Sequence, residues 1–302
     1  MIEIIGTGSY LPMATITNEE IARQVETTNA KWVEENLGIK ERRVADYFET
    51  TSFFALRAAE RAIEDSGKKP TEIDLLIVAT ATPDMKAPST ACLIQDKIGA
   101  YNAVCFDVSA VCSGFIYAMQ IASSMIFMGP YNNALIIGAD TFSTITDWKS
   151  RDCVFFGDGA GAVVVTLGDG LQAIRLYSDA RGNGFSVPKR YFEMNGRAVY
   201  DTAIDVLPKA INEVLEDADM TIDDIDLMIP HQPSMGVLKE TAKRIGLPWE
   251  KVMTNMDKYA NTAGATIPIL LDEVRKAGKL KGNVLLAAVG SGWTWGAAIM
   301  KI

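Results

Sequence analysis

Thioester chemistry needs a nucleophilic sulfur, a proton-handling ring and donors for a developing oxyanion, and this sequence offers a candidate for each. The sulfur is Cys112. It follows a short, apolar, β-branched run, Ala103–Val108, that reads as a buried strand, and precedes Phe115, Ile116, Met119 and Ala122, spaced as on a packed helix. A strand turning abruptly into a helix puts one side chain at the helix N-terminus, where free N–H groups favour a thiolate and donors lie beside whatever it attacks. The competing reading of Cys112 is a small buried residue. Cys92, Cys105 and Cys153 lack that setting and are assigned to the core. The ring is His231, the single histidine of the chain, so any step that needs an imidazole falls to it unless it is purely structural. The carboxamide is Asn261, in Tyr259-Ala-Asn-Thr-Ala-Gly, where it could equally cap the following helix.

These residues need a frame. Strand-like runs at 75–80, 103–108, 134–138, 162–166, 226–229, 284–289 and 297–302 alternate with helical patterns at 51–66, 113–128, 200–217, 236–245 and 265–277. That alternation predicts an α/β protein with helices on the faces of sheets. The halves resemble each other. Thr71-Glu-Ile-Asp-Leu-Leu-Ile matches Asp223-Asp-Ile-Asp-Leu-Met-Ile, Asn133-Ala-Leu-Ile-Ile-Gly matches Asn283-Val-Leu-Leu-Ala-Ala, and Gly161-Ala-Val-Val-Val matches Gly296-Ala-Ala-Ile-Met, in the same order. A duplicated unit follows, as residues 1–168 and 169–302. Under this pairing Gly114 falls opposite Gly264, so the Cys112 turn faces the Asn261 turn, with Ile229-Pro-His-Gln-Pro and Gly290-Ser-Gly-Trp-Thr-Trp-Gly as further converging turns.

Composition narrows the classes. With 48% apolar and 22% charged residues the chain reads as an ordinary globular protein. Its net charge of −9 argues against nucleic acid. Four scattered cysteines support neither a disulfide framework nor a metal site. The start, Met1-Ile-Glu-Ile-Ile-Gly, reads as a first strand and not a signal peptide, no apolar run approaches a membrane span, and the expected compartment is a reducing cytoplasm. Gly6-Thr-Gly-Ser and Gly157-Asp-Gly-Ala-Gly fail the context of a nucleotide fingerprint and read as tight turns with close backbone approach.

Taken together, Asp107-Val-Ser-Ala-Val-Cys-Ser-Gly-Phe, Phe156-Gly-Asp-Gly-Ala-Gly-Ala, Pro230-His-Gln, Asn261-Thr-Ala-Gly-Ala and Gly290-Ser-Gly-Trp-Thr-Trp-Gly resemble the thiolase superfamily, specifically the β-ketoacyl-acyl-carrier-protein synthase III family, over nearly the whole chain. The resemblance implies an αβαβα fold from two duplicated halves, a homodimer, and no permanently bound cofactor. Acyl-CoA would donate an acyl group to Cys112, and malonyl-acyl-carrier-protein would be the partner condensed with loss of carbon dioxide. His231 and Asn261 would stabilise the enolate, and the backbone N–H groups of Cys112 and Ser291 would form the oxyanion hole. Thiolases use a second cysteine near the C-terminus as a base, and here no cysteine follows Cys153. The resemblance further implies Trp32 and Arg151 as coenzyme A contacts, with Asn36 where an arginine is common. Ala87 stands where a bulky residue often walls the acyl pocket of the opposite subunit, which implies tolerance of longer or branched primers. Lys243 and Arg244 remain of a carrier-docking patch that otherwise falls on Asp201 and Gly236, or they form an ordinary solvated face. The alternative activity is an acyltransferase using the same cysteine without carbon–carbon bond formation.

Overall fold

A computed structural model describes residues 1–181 and 184–302. Two sheets form the frame. The first is five-stranded, in spatial order Ile2–Tyr10, Gly159–Leu167, Asn133–Asp140, Leu75–Ala79 and Val104–Val108. Its last three strands are parallel, and Gly159–Leu167 runs antiparallel to both neighbours. The second is four-stranded, in order Leu227–Pro230, Asn283–Gly290, Thr294–Lys301 and Leu171–Ser178, with one parallel and two antiparallel pairings. Read from Leu171–Ser178, it repeats the first four positions of the first sheet.

The helices complete a layered arrangement. Thr51–Ser66 and Thr90–Ile98 cover the outer face of the first sheet, and Gly196–Asp217 with Met235–Ile245 cover that of the second. Gly114–Met128 and Thr266–Lys276 lie between the sheets and touch both. The layer order is therefore helix, sheet, helix, sheet, helix. Each outer helix hides one stripe: in Thr51–Ser66 it is Phe54, Ala55, Ala58, Ala59, Ala62 and Ile63, started by the Thr50 side chain accepting from Phe53 N–H and stopped by left-handed Gly67. Helix Gly114–Met128 instead buries residues on several sides, because it has sheet on both faces.

Several expectations fail. The Gly6–Ser9 stretch is no turn; it lies within the first strand, and a Cβ on Gly6 would meet Ala62 O at 2.5 Å and Ser66 Cβ at 2.6 Å of the covering helix. The close approach holds and the turn does not. Of the three cysteines assigned to the core, Cys92 is exposed and Cys105 half-buried, and Cys153 alone is buried. The 18 residues Val111–Met128 do reach the length and apolarity of a membrane span, since the buried middle layer has to be apolar all round. The strand Leu171–Ser178 and the helices Asn18–Gln24, Ala30–Leu37 and Thr90–Ile98 were outside the expected elements.

Candidate active site

The Cys112 turn, Val111–Ser113, joins the edge strand Val104–Val108 to helix Gly114–Met128. It is held from several sides. Ser113 Oγ contacts Ala110 O at 2.8 Å and Thr294 Oγ1 at 2.6 Å. Gly290 crosses it so closely that a Cβ there would lie 3.1 Å from Cys112 N and 2.8 Å from Ala110 O. Val111 sits in the left-handed region at φ +47°, an uncommon place for a β-branched residue, and the packing sustains it. Ala263, in the facing turn Ala263–Ala265, has φ +49°.

His231 ends the strand Leu227–Pro230, and its N–H donates to Ala287 O at 2.8 Å, which continues the sheet through the site. Its Nε2 lies 3.1 Å from Asn261 Oδ1. Asn261 is pinned by its backbone: its N–H donates to Phe155 O at 3.1 Å, and its carbonyl accepts from Gly157 N–H at 3.0 Å. Its Oδ1 also accepts from Ala263 N–H at 2.9 Å. Two N–H donors thus assign Oδ1 and leave Nδ2 as the amide's free donor. The capping reading of Asn261 fails, since the helix starts at Thr266 with Ala265 as its N-cap and no side-chain cap; the Asn261 oxygen instead closes the turn at Ala263, and its nitrogen is spare.

Cys112, His231, Asn261 and Ser291 line one cavity of about 280 Å³, together with Phe142, Phe156, Phe185, Met194 and Trp293. The cavity wall is mainly apolar, and the aromatic floor was missed from the sequence. Phe142 stacks on Phe156 with ring centroids 4.5 Å apart, and Phe185 stacks on Phe192 at 5.5 Å. Phe156 had stood in view only as the residue before a glycine turn. Ser291 lines the cavity, with its hydroxyl donating to Phe185 O at 2.6 Å.

Burial governs the ionisation. His231 is held down to about 4 because a buried imidazolium loses its hydration, and the Asn261 contact offsets this only in part. It is therefore a neutral ring at pH 7. The Cys112 thiol is pushed far above its ordinary value, first by burial and then by the nearby Asp140 carboxylate. The expectation of a thiolate stabilised by the helix terminus is corrected accordingly: desolvation outweighs the backbone N–H, and the resting sulfur is a thiol.

The cavity reaches the surface at Trp32, on helix Ala30–Leu37, beside a groove of about 780 Å³ lined by Asn29, Lys31, Trp32, Arg151 and Arg197. Arg151 lies over the Trp32 ring, 4.9 Å from its centroid. Asn36 points back, its Nδ2 donating to Trp32 O at 2.9 Å. Ala87 is exposed and is not among the residues lining the chain's own cavity. Lys243 and Arg244 are exposed on helix Met235–Ile245, but Arg244 pairs with Glu240 at 2.8 Å and donates to Ile204 O.

A cysteine, a neutral imidazole and a spare amide at one apolar cavity, on five alternating layers, define an acyl-transferring enzyme of the thiolase fold. Comparisons with known proteins narrow this. Family models described as 3-Oxoacyl-[acyl-carrier-protein (ACP)] synthase III and its C-terminal part match residues 106–181 and 215–302. A beta-ketoacyl-[acyl-carrier-protein] synthase III from Clostridium acetobutylicum is 43% identical, covering 99% of this chain and 98% of its own. One from Rhizorhabdus wittichii is 45% identical with the same coverage. The crystal structure of 3-oxoacyl-[acyl-carrier-protein] synthase III from Aquifex aeolicus superposes with a TM-score of 0.97 at 41% identity, over 100% of both chains. This chain belongs to the β-ketoacyl-[acyl-carrier-protein] synthase III family and has its thiolase fold.

Proposed function

We propose that this chain, by family an acyltransferase that condenses with loss of carbon dioxide, works through Cys112, His231 and Asn261. The observation that carries the assignment of residues is their convergence on one cavity that opens beside Trp32. In the first step Cys112 Sγ attacks the carbonyl of an acyl-CoA. The backbone N–H groups of Cys112 and Ser291 receive the oxyanion, coenzyme A thiolate leaves, and the cysteine proton ends on it. In the second step the carboxylate of a malonyl thioester on acyl-carrier-protein leaves as carbon dioxide. The enolate oxygen takes the His231 Nε2–H, released from Asn261 Oδ1, and the Asn261 Nδ2 donor. Its carbon attacks the acyl-cysteine, and Cys112 leaves as a thiolate that takes a proton back from water. A neutral histidine suits this work, since it donates without surrendering a full proton.

No resident cofactor enters this scheme; coenzyme A is a substrate part. Its adenine stacks on the Trp32 face now covered by Arg151, and the guanidinium turns to the phosphates. A second copy pairs at the free edge of Val104–Val108, where Tyr101 and Val104 are exposed, and brings its Ala87 to the acyl end. Lys243 is the better remaining carrier contact, because Glu240 already engages Arg244. The equivalent strand orders support 1–168 and 169–302 as copies of one unit. A cytoplasmic location accords with four free cysteines. The test is intact-mass analysis after mixing with acyl-CoA. One added acyl group on the wild type and none on Cys112→Ala is expected; an adduct that survives in Cys112→Ala overturns the assignment. Release of carbon dioxide from a malonyl thioester separates condensation from simple acyl transfer.

A further inference from the structure

Asp140 ends the strand Asn133–Asp140 and is completely buried. Its Oδ1 accepts from Ala81 N–H at 2.7 Å, Thr82 Oγ1 at 3.1 Å and Thr80 Oγ1 at 3.2 Å. Its Oδ2 accepts from Gly264 N–H at 3.0 Å. None of these donors is cationic. A buried carboxylate without a countercharge is expensive, and here two hydroxyls and two amides offset the loss of water. The cost leaves a trace, since burial pushes Asp140 up to about 7 despite those bonds.

What the carboxylate holds gives it a purpose. Gly264 follows Ala263, whose N–H is taken by Asn261 Oδ1, which in turn meets His231 Nε2. On its other side Gly264 packs on the Cys112 turn: a Cβ there would lie 3.2 Å from both Asp140 Oδ2 and Val111 O. The carboxylate thus holds the glycine at which the turn carrying the amide packs on the turn carrying the sulfur.

We propose that Asp140 is a positioning residue, whose carboxylate ties the Asn261 turn, through Gly264 N–H, to the end of the Leu75–Ala79 strand beside the Cys112 turn and adds negative charge close to the sulfur. The negative charge adds to burial, the larger cause, in opposing a second negative charge on Cys112. Cys112 is the ionisable group coupled to it across the turns. The end of the Leu75–Ala79 strand and the Ala263–Ala265 turn offer it hydroxyls and amides. Asp158, next to its ladder partner Gly159, is turned instead to Ser143 and Ala45 N–H.

The inference rests on the proposed roles of Cys112 and Asn261, and its test separates the two. Asp140→Asn keeps shape and removes charge, while presenting an NH₂ to one of the donors. Two readouts are taken beside the wild type. The first is the rate of Cys112 alkylation by iodoacetamide from pH 8 to 10, above the titration of Asp140. Its rising limb is expected to move to lower pH by about one unit, the scale of a neighbouring like charge. Loosened packing would hydrate the sulfur and move the limb the same way, so Gly264→Ala, which opens the turn with the charge kept, is the control: a limb displaced as far in Gly264→Ala as in Asp140→Asn assigns the shift to packing and overturns the field. The second compares the half-reactions, where carbon dioxide release from malonyl-CoA is expected to fall about tenfold more than self-acylation by acyl-CoA, because only the former uses the Asn261 turn. An unmoved alkylation limb with both half-reactions reduced by one factor overturns the inference. Gly264→Ala covers the case in which Asp140→Asn does not fold. It wedges the turn off the carboxylate without removing charge, so decarboxylation should fall and the alkylation limb should stay; undiminished decarboxylation refutes the clamp. A wild type that releases no carbon dioxide counts against the proposed function instead, and leaves the alkylation readout standing.

Discussion

His231 is the chain's single histidine, and this makes its burial measurable. Folded, the ring is held down to about 4; unfolded, it returns to roughly 6.5. Between these values the unfolded chain takes up a proton that the folded chain refuses, so stability is full above about pH 6.5 and is lost as pH falls toward 4. From pH 7.5 to pH 5 the loss attributable to this ring is about 2 kcal/mol, taken from the ratio of the two proton-binding polynomials. Asp140 and Asp158 act oppositely. Burial raises them to about 7 and about 6, so their contribution is full at low pH and declines as pH rises through those values. The net wild-type curve therefore conceals the histidine. The remedy is subtraction: His231→Gln keeps both aspartates and loses the titrating ring. Guanidinium unfolding of both chains across pH 5 to 7.5 should show the wild type losing about 2 kcal/mol more than the variant on acidification. A wild-type-minus-variant difference that stays level across that range refutes the reasoning, because it means the ring is solvated and charges freely in the folded chain.

Two further outcomes follow from the site. Asn261→Ala should cut decarboxylation by about 10²–10³-fold, the usual cost of one oxyanion donor, with far less effect on acyl-enzyme formation; carbon dioxide trapping and intact mass report the two separately. Ala87→Phe should shift selectivity toward two-carbon primers, by about fourfold for each methylene excluded at roughly 0.8 kcal/mol, as read from competition among acyl-CoAs.

Much of the frame was legible because the middle strands are continuous apolar runs and their helices carry regular stripes. Thr51–Ser66 is bounded by Thr50 and Gly67, both visible in sequence. Thr90–Ile98 is short, and its N-cap Ser89 follows Pro88 in a polar stretch, which masks the apolar side. Gly6 and Gly8 were misread because a glycine demanded by a neighbouring helix looks the same as one demanded by a turn. The convergence of Cys112, His231 and Asn261 on one cavity could be anticipated from their turns and the internal match. Their ionisation could not. It depends on how completely three distant segments exclude water, and the local helix terminus, which is what sequence reveals, is the weaker influence. Asp140 was invisible for the same reason, since its donors lie 58 to 124 positions away.

The glycines where layers cross have a bearing on descent. A Cβ on Gly138 would collide with Gly264 carbonyl oxygen, and one on Gly161 would lie 2.5 Å from Pro268 C. Neither position holds a reactive group, yet neither tolerates an extra carbon without prising a sheet from the turn or helix against it. Mutation should be purged there as strictly as at the nucleophile, for want of room and not of reactivity. Lineages that abandon the chemistry while keeping the architecture should discard Cys112 long before they discard Gly138.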